Sequence, residues 1–404
     1  MAAPTTKCRV VIADDFHPVS AHRLLEIPPE LADWLEQPST GESSATQVYG
    51  SDTRVLELRG LEDDTAVLCT PEVTYEIRQV NVSNSLLIVG PRQDANAAVE
   101  VGMQLDDDGE DAGAVCLPTL EILGAIESHL EIEVCPPRPH RLREILQVTS
   151  YRGPDYESLV LQDVRPPTWE EIRERVQMSD TQLQRALRDA PAILIDGHYR
   201  LLEGNYLRSL LQLITAECTI QDIPLDRIPV TDCARYLADH DVSPDLLAQV
   251  LWAFAPDTHV TYEPRGVYTL DPRKYARFMA LQLFEAEADR QWRRRDFLGA
   301  WRALVPECLP LEPGVLEDLA LSFVNERDQL QYLRYFPTTN LPADPVHCFR
   351  ILFQAKEKWA PTEMLPYVRH LSASPKKLDA LILKYCRSSK VRGEVMYSSR
   401  VRTH

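Results

Sequence analysis

Thr168-Trp169-Glu170-Glu171 with Ile172 and Val176 behind it, then Ser179-Asp180-Thr181-Gln182 with Leu183, Ala186 and Leu187, is the stretch on which the fold turns. Thr168 and Glu171 have the spacing of a capping box, in which hydroxyl and carboxylate each satisfy an orphan amide at a helix start. Ser179 opens a second helix with its apolar residues on one face. Ala190-Pro191 ends it. Ala192–Ile195 and residues 198–202 then flank Asp196-Gly197, the pair best suited to the positive torsions of a two-residue hairpin turn. Helix, helix, hairpin is the order of a winged helix, a docking module for nucleic acid or protein that usually lacks a catalytic centre.

The same order returns twice. Val230, Ala234 and Leu237 line one helix, and Ser243-Pro244 starts the next, with Leu247, Val250, Leu251 and Phe254 at helical spacing. Residues 259–263 and 267–270 are expected to pair across Pro264-Arg265-Gly266, and Asp271-Pro272 caps the helix that follows. In the last copy Met364, Leu365 and Val368 form a helix. Ser374-Pro375 begins another, with Leu378, Leu381, Ile382 and Tyr385 inward, and 395–398 is a wing strand. The second helices begin at 180, 244 and 375, offsets of 64 and 131 residues. The larger is close to twice the smaller, which leaves room for an irregular fourth unit at 296–340.

Upstream of about residue 135 the apolar period changes from 3.6 to 2. Residues 9–12, 24–27, 55–59, 66–69, 74–80 and 85–89 read as strands, with a short helix from Pro28 to Leu35. Leu86-Leu87-Ile88-Val89 is apolar on both faces, so both faces need covering. Open sheet edges of this kind usually find a partner strand; a self-contained small barrel is the alternative. Residues 38–52 read as a loop. The segment 92–113, with Asp106-Asp107-Asp108-Gly109-Glu110-Asp111, reads as an acidic disordered insertion without calcium-loop spacing.

The predicted class is therefore α+β and multidomain: an N-terminal antiparallel, barrel-like β domain completed by partners (1–135), then winged helices at 136–218 and 219–290. A C-terminal winged-helix region (291–404) ends in a basic unit at 359–404. The 404 residues are 44% hydrophobic and 26% charged, a globular composition. No apolar run is long enough to span a membrane, and the opening Met1-Ala2-Ala3-Pro4 has no signal-peptide pattern. Nine scattered cysteines without Cys-x-x-Cys spacing point to reduced thiols and to no metal site. No cofactor is expected. No glycine is followed by lysine, so a Walker A loop is absent, as are Gly-x-Ser-x-Gly and His-Glu-x-x-His.

A net charge of −18 argues against a uniformly basic nucleic-acid binder. Its distribution is more telling. Residues 168–203 have five basic and seven acidic groups, 226–271 three and eight, and 359–404 nine and three. Only the last winged helix, at net +6, has the charge for a phosphate backbone. Lys376 and Lys377 fall in the first turn of its second helix, with Lys384 and Arg387 further along. Lys390, Arg392, Arg400 and Arg402 frame the wing. Arg293-Arg294-Arg295 beside Trp292 is the next basic candidate.

Several motifs, in order, resemble one family: Ala66-Val67-Leu68-Cys69, Thr74-Tyr75-Glu76-Ile77, Ser83-Asn84-Ser85-Leu86-Leu87, Tyr151-x-Gly153-Pro154 and Tyr199-Arg200-Leu201-Leu202. Further along come Glu357-Lys358-Trp359, Pro366-Tyr367, Leu383-Lys384-Tyr385 and Met396-Tyr397-Ser398-Ser399-Arg400. The set is similar to the Dcc subunit, "defective in sister chromatid cohesion", of the alternative replication factor C clamp loader. The insertions at 38–52 and 92–113 depart from it. The resemblance implies a nuclear, non-enzymatic adaptor whose β domain forms shared barrels with a small companion subunit and the C-terminal tail of the large chromosome-transmission-fidelity subunit. It implies links to DNA polymerase epsilon and to DNA. Val67, Cys69, Tyr75, Ile77, Leu86, Leu87 and Ile88 are the expected partner-binding residues. The competing readings are a winged-helix transcription regulator, which should have its basic face on the best-formed unit, and an enzyme, which needs convergent titratable groups in a cleft.

Overall fold

The helix-start signals at Thr168 and Ser179 are satisfied in the computed structural model, which describes residues 9–17, 23–36, 55–62, 64–91, 119–157, 161, 164–259, 261–325, 327–391 and 393–400. The Glu171 carboxylate accepts from the Thr168 amide at 2.8 Å while Thr168 Oγ1 accepts from the Glu171 amide, and helix Trp169–Arg175 follows. Ser179 accepts from the Gln182 amide and starts Asp180–Asp189. Asp196 and Gly197 have φ of 49° and 79°, the two positive torsions of a type I′ turn, between the paired strands Ala192–Ile195 and His198–Leu201. The expected insertions at 38–52 and 92–113 lie outside the described residues.

Contacts divide the chain into two bodies. One comprises Met1–Arg54 and Tyr75–Glu133; the other comprises Val55–Thr74 and Val134–His404. Together they are a mixed α+β structure with several small sheets.

The second body repeats one pattern: leading helix, short strand or bridge, two helical segments, and a hairpin that is reduced to a single strand in the second repeat. In the first repeat His140–Gln147 leads, and Tyr151 bridges Leu202 ahead of the elements just described. Gly204–Ile220, Ile228–Pro229, Val230–Tyr236, Pro244–Ala253 and Val267–Tyr268 make the second. Pro272–Ala286, Gln291–Arg293, Arg294–Leu304, the 3-10 turn Pro313–Leu316 and strands Ala320–Val324 and Gln331–Tyr335 make the third, which starts well before the expected irregular unit at 296–340. Pro345–Ala355, Lys358–Trp359, Pro361–Val368, Pro375–Tyr385, Cys386–Val391 and Glu394–Ser399 end the series. In the last three repeats the short strand pairs with the final strand, so the chain returns beside its own entry point.

Two local expectations differ from what forms. Among the described residues 259–263 there is no strand, and Val267–Tyr268 pairs with Ile228–Pro229 instead. The Tyr268 hydroxyl both accepts from the Glu263 amide and donates to the Glu263 carbonyl, at 2.8 Å each, so a side chain takes the place of a ladder. Ser374 precedes Pro375–Tyr385 without a side-chain cap; its own amide donates to Ser372 Oγ at 3.2 Å.

Apolar burial holds the repeats together. Leu207, Leu211, Ile214, Leu247, Leu251, Phe284, Phe297 and Trp301 belong to one cluster running through the second and third repeats. Leu142, Ile172 and Leu183 centre the first, and Phe349, Trp359 and Tyr367 the last. Each such side chain contributes about 1.5–3 kcal/mol on burial. The first repeat is also fastened to the second by Arg188, which is 8% exposed. Its guanidinium donates to the carbonyls of Trp252, Ala255 and Pro256 at 3.1, 2.9 and 3.0 Å and lies over the Trp252 ring. These carbonyls lie in the last turn of Pro244–Ala253 and just beyond it, and each also accepts from a second donor, the Ala255 amide, Lys274 Nζ and the His259 amide respectively. Arg188→Met is expected to lower unfolding free energy by roughly 2–4 kcal/mol, because buried acceptors lose a charged donor. A urea midpoint unchanged by the substitution would show that the repeats do not depend on this contact.

Residues 57–69 form a hairpin that belongs to the repeat body: Glu57–Arg59 pairs antiparallel with Val67–Cys69. A four-membered ion network fixes it. Arg59 donates to Asp180 at 2.6 Å, to Glu57 at 2.8 Å and to the Met178 carbonyl. Arg173 donates to Glu57 at 2.6 Å and to Asp180 at 2.8 Å. Thr74 Oγ1 donates to Gln182 Oε1 at 2.6 Å and accepts from the Ser179 amide at 2.8 Å. Burial would raise the Asp180 carboxyl, but hydrogen bonds from Arg173 and Arg59 and their charges outweigh it and hold the group below its ordinary 3.8. The sign follows from linkage: this contribution is present above pH 3.8 and is lost as pH falls through the depressed folded value. Asp180→Asn should flatten that acid limb in a pH–melting profile. An identical acid limb in the variant would remove Asp180 from the account.

Candidate functional site

In the first body, Arg9–His17 and Leu25–Glu26 run parallel to Thr119–Val134, which also neighbours Thr74–Pro91. Thr119–Val134 was not among the expected strands. Helix Pro29–Glu36 buries Leu31. The sheet is open, and no closed barrel is present among the described residues.

The expected partner residues separate by place. Val67 and Cys69 are buried in the repeat body through the hairpin at 57–69, where burial raises the Cys69 thiol. Tyr75 is buried, and Ile77 and Ile88 are half-buried. Leu86 and Leu87 are exposed, at 38% and 54%, with Val89 exposed next to them. Leu86 and Leu87 point to opposite faces of one strand, so each face of this stretch has an exposed apolar residue. Leu123 on the neighbouring strand, Leu25 on the short strand and Leu24 just before it are exposed too. Leu123, whose side chain lies against Gly90, joins the exposed residues at 86–89 and was not expected from the sequence, whereas Leu25 stands beside Leu130.

The repeats differ in what they leave open. In the first, the start of Asp180–Asp189 is covered: the Thr181 amide donates to the Pro71 carbonyl at 3.0 Å, and Ser179 and Gln182 are engaged by Thr74. Its other end is held by Arg188. The outer strand is held as well, since Gln249 bonds both the amide and the carbonyl of Leu194, at 2.6 and 3.1 Å. The first repeat thus has its best-formed second helix turned into the chain's own contacts.

The last repeat is the reverse. Lys376, Lys377, Lys384, Arg387, Lys390 and Arg400 are all exposed. Lys376, Arg387, Lys390 and Arg400 make no ion pair with a described residue. Lys384 lies 5.3 Å from the Tyr385 ring centroid. Arg387 stands on strand Cys386–Val391, beyond the helix, opposite Ser398 and on the face away from buried Cys386. Arg392 and Arg402 lie outside the described residues. Of the alternative cluster, Arg293 and Arg294 donate to Tyr332 and Gln331 of their own hairpin, and Arg295 is exposed.

Among the described residues the large upward pKa displacements belong to packed groups. Desolvation pushes Tyr262, Tyr335, Cys348 and Cys386 up to about 12.

The chain thus has repeats that pack on one another, an open sheet with exposed apolar residues, and one basic end. It belongs to the family of the sister chromatid cohesion protein Dcc1, whose model matches residues 22–368. The family takes part in sister chromatid cohesion, and its name states no catalytic activity. The match ends before the second helix of the last repeat. The chain is similar to the sister chromatid cohesion protein DCC1 of Mus musculus, 27% identical over 380 residues, covering 93% of this chain and 86% of the relative. It is 25% identical to the Homo sapiens protein of that name over 378 residues, 93% and 88%. With the Saccharomyces cerevisiae protein it is 20% identical over 404 residues, 94% and 97%. No helix among the described residues is long and apolar enough to cross a membrane.

Proposed function

We propose that this chain is a nuclear, non-enzymatic adaptor subunit of an alternative clamp loader. In this reading its β body completes shared barrels with the C-terminal tail of the large chromosome-transmission-fidelity subunit and with the small companion subunit. The chain then links the loader to DNA polymerase epsilon and, through its last winged helix, weakly to DNA. The observation that carries the proposal is the strand stretch 86–89, with apolar residues exposed on both faces in an open sheet. Family membership supports the role in cohesion. The occluded second helix of the first repeat speaks against a transcription regulator that would read DNA with its best-formed unit.

Duplex DNA should be bound through phosphates, with little sequence preference. If about four cations touch phosphates, log K falls with log salt at a slope of roughly −3 to −4. Replacing Lys376, Arg387, Lys390 and Arg400 by alanine should flatten that slope. Arg175 and Arg185, exposed in the first repeat, are the matching control. Arg173 and Arg188 are unsuitable, because both serve the fold. Equal losses in the two sets would move the contact elsewhere, with Arg295 and its neighbours next.

A further inference from the structure

One group of donors in the first body is invisible to sequence spacing, because its members lie a hundred residues apart. His129 and Glu131 occupy alternate positions of strand Thr119–Val134 and so share a face. Leu25–Glu26 runs parallel to that strand with Glu26 directly beside Glu131. Two carboxylates side by side across a ladder repel each other. The imidazole faces both, with Nε2 at 3.5 Å from Glu26 and 3.3 Å from Glu131. Nδ1 is buried with no hydrogen-bond partner among the described residues, so the polar contacts of the ring are all at Nε2. Glu127 and Glu133 continue the same face, and nearby Arg78 donates to Glu76 at 2.5 Å and stands 3.7 Å from Glu133.

Two accounts meet these separations. A charge-assisted N–H···O contact closes to about 2.7–2.9 Å. Nitrogen and oxygen donors at roughly 2.0–2.1 Å from a tetrahedral ion stand about 3.3 Å apart. The 3.3 Å contact with Glu131 is within hydrogen-bond reach. Both His–Glu distances also match the spacing of donors about an ion, and all three donor atoms lie within 4.8 Å of one another.

We propose that Glu26, His129 and Glu131 bind a divalent cation of the zinc class, which clips strand Leu25–Glu26 to strand Thr119–Val134. One imidazole with two carboxylates suits Zn2+, whereas Mg2+ and Ca2+ favour all-oxygen shells. The clip matters because a strand of two residues has few ladder bonds of its own, and its position fixes the exposed Leu24 and Leu25. Three protein ligands leave a fourth position for water. The site needs no partner subunit and stands independently of the adaptor reading.

The test uses the full chain, stripped by chelator and titrated with Zn2+ by calorimetry and with Co2+ by absorption. One equivalent is expected. Its cobalt spectrum should show the bands of a four-coordinate nitrogen and oxygen site without thiolate charge transfer. His129→Ala should abolish this binding, and Glu26→Gln should weaken it at least about tenfold. Glu26 is 71% exposed at its side chain, so the second variant reports on the ion even where the first disturbs the strand. Full binding retained in Glu26→Gln, a thiolate-type cobalt spectrum, or no stoichiometric uptake by the unaltered chain would overturn the proposal.

Discussion

Leu87→Asp is expected to leave the isolated chain folded and to abolish its assembly with partner subunits. Leu87 is 54% exposed, so a carboxylate there stays hydrated in the free protein, and surface changes of this kind stay within about 0.5 kcal/mol. Once a partner strand covers that face, the same carboxylate is buried without a counter-ion. An uncompensated buried charge costs several kcal/mol, enough to reduce affinity by orders of magnitude. Tyr75→Asp is the instructive contrast. Tyr75 is 5% exposed within the chain, so its replacement should damage the free protein before any partner arrives. The two variants therefore separate folding from assembly: unchanged melting with lost co-purification for Leu87→Asp, lowered melting for Tyr75→Asp. Normal assembly by Leu87→Asp would show that this strand faces solvent in the complex.

Arg200→Met is expected to cost about 3–5 kcal/mol of unfolding free energy, the range found when one member of a buried ion pair is removed. Arg200 is 1% exposed. It donates to the Thr149 carbonyl at 2.7 Å, to Glu157 at 2.6 Å and to the Ser150 carbonyl at 3.4 Å, and it lies over the Tyr151 ring. Tyr151 in turn meets Tyr206 edge to face at 5.3 Å. Gly153, at φ 108°, allows the chain to pass: a Cβ there would lie 3.1 Å from the Tyr206 ring. The motif Tyr151-x-Gly153-Pro154 and the residue Arg200 are thus one structural knot at the join of the first two repeats. Arg200→Lys should recover only part of the loss, since one ammonium cannot match the planar fork. A methionine variant as stable as the parent in urea would assign the knot to packing alone.

Legibility in the sequence followed the range of the interactions. Thr168, Ser179, Ser243, Asp271 and Asp196-Gly197 act on amides two or three residues away or set their own torsions, and they form what their spacing predicts. The leading helices were harder to recognise. Gly204–Ile220 starts almost directly after strand His198–Leu201, so no loop marks where one repeat ends and the next begins. Strand Thr119–Val134 has good alternation near its end, in His129-Leu130-Glu131-Ile132-Glu133-Val134, but its start follows closely on the acidic stretch. Residues 57–69 were the hardest to place. Their strands are legible, whereas their attachment rests on Arg59 and Thr74 reaching side chains more than a hundred positions away, which leaves no periodic trace. The same holds for the donors at Glu26 and His129. For the basic end, charge counting located the repeat, while the split between helix and strand at Arg387 needed the fold.

The most direct test of the adaptor account is amide hydrogen exchange across strands Thr74–Pro91 and Thr119–Val134, in the free chain and in the reconstituted complex with the large-subunit tail and small companion subunit. The account predicts that residues 85–90 exchange readily in the free chain and become strongly protected on assembly, while Asp180–Asp189 in the first repeat, already occupied by the chain's own contacts, changes little. Equal exchange at 85–90 in both states, with new protection confined to the repeats, would contradict it.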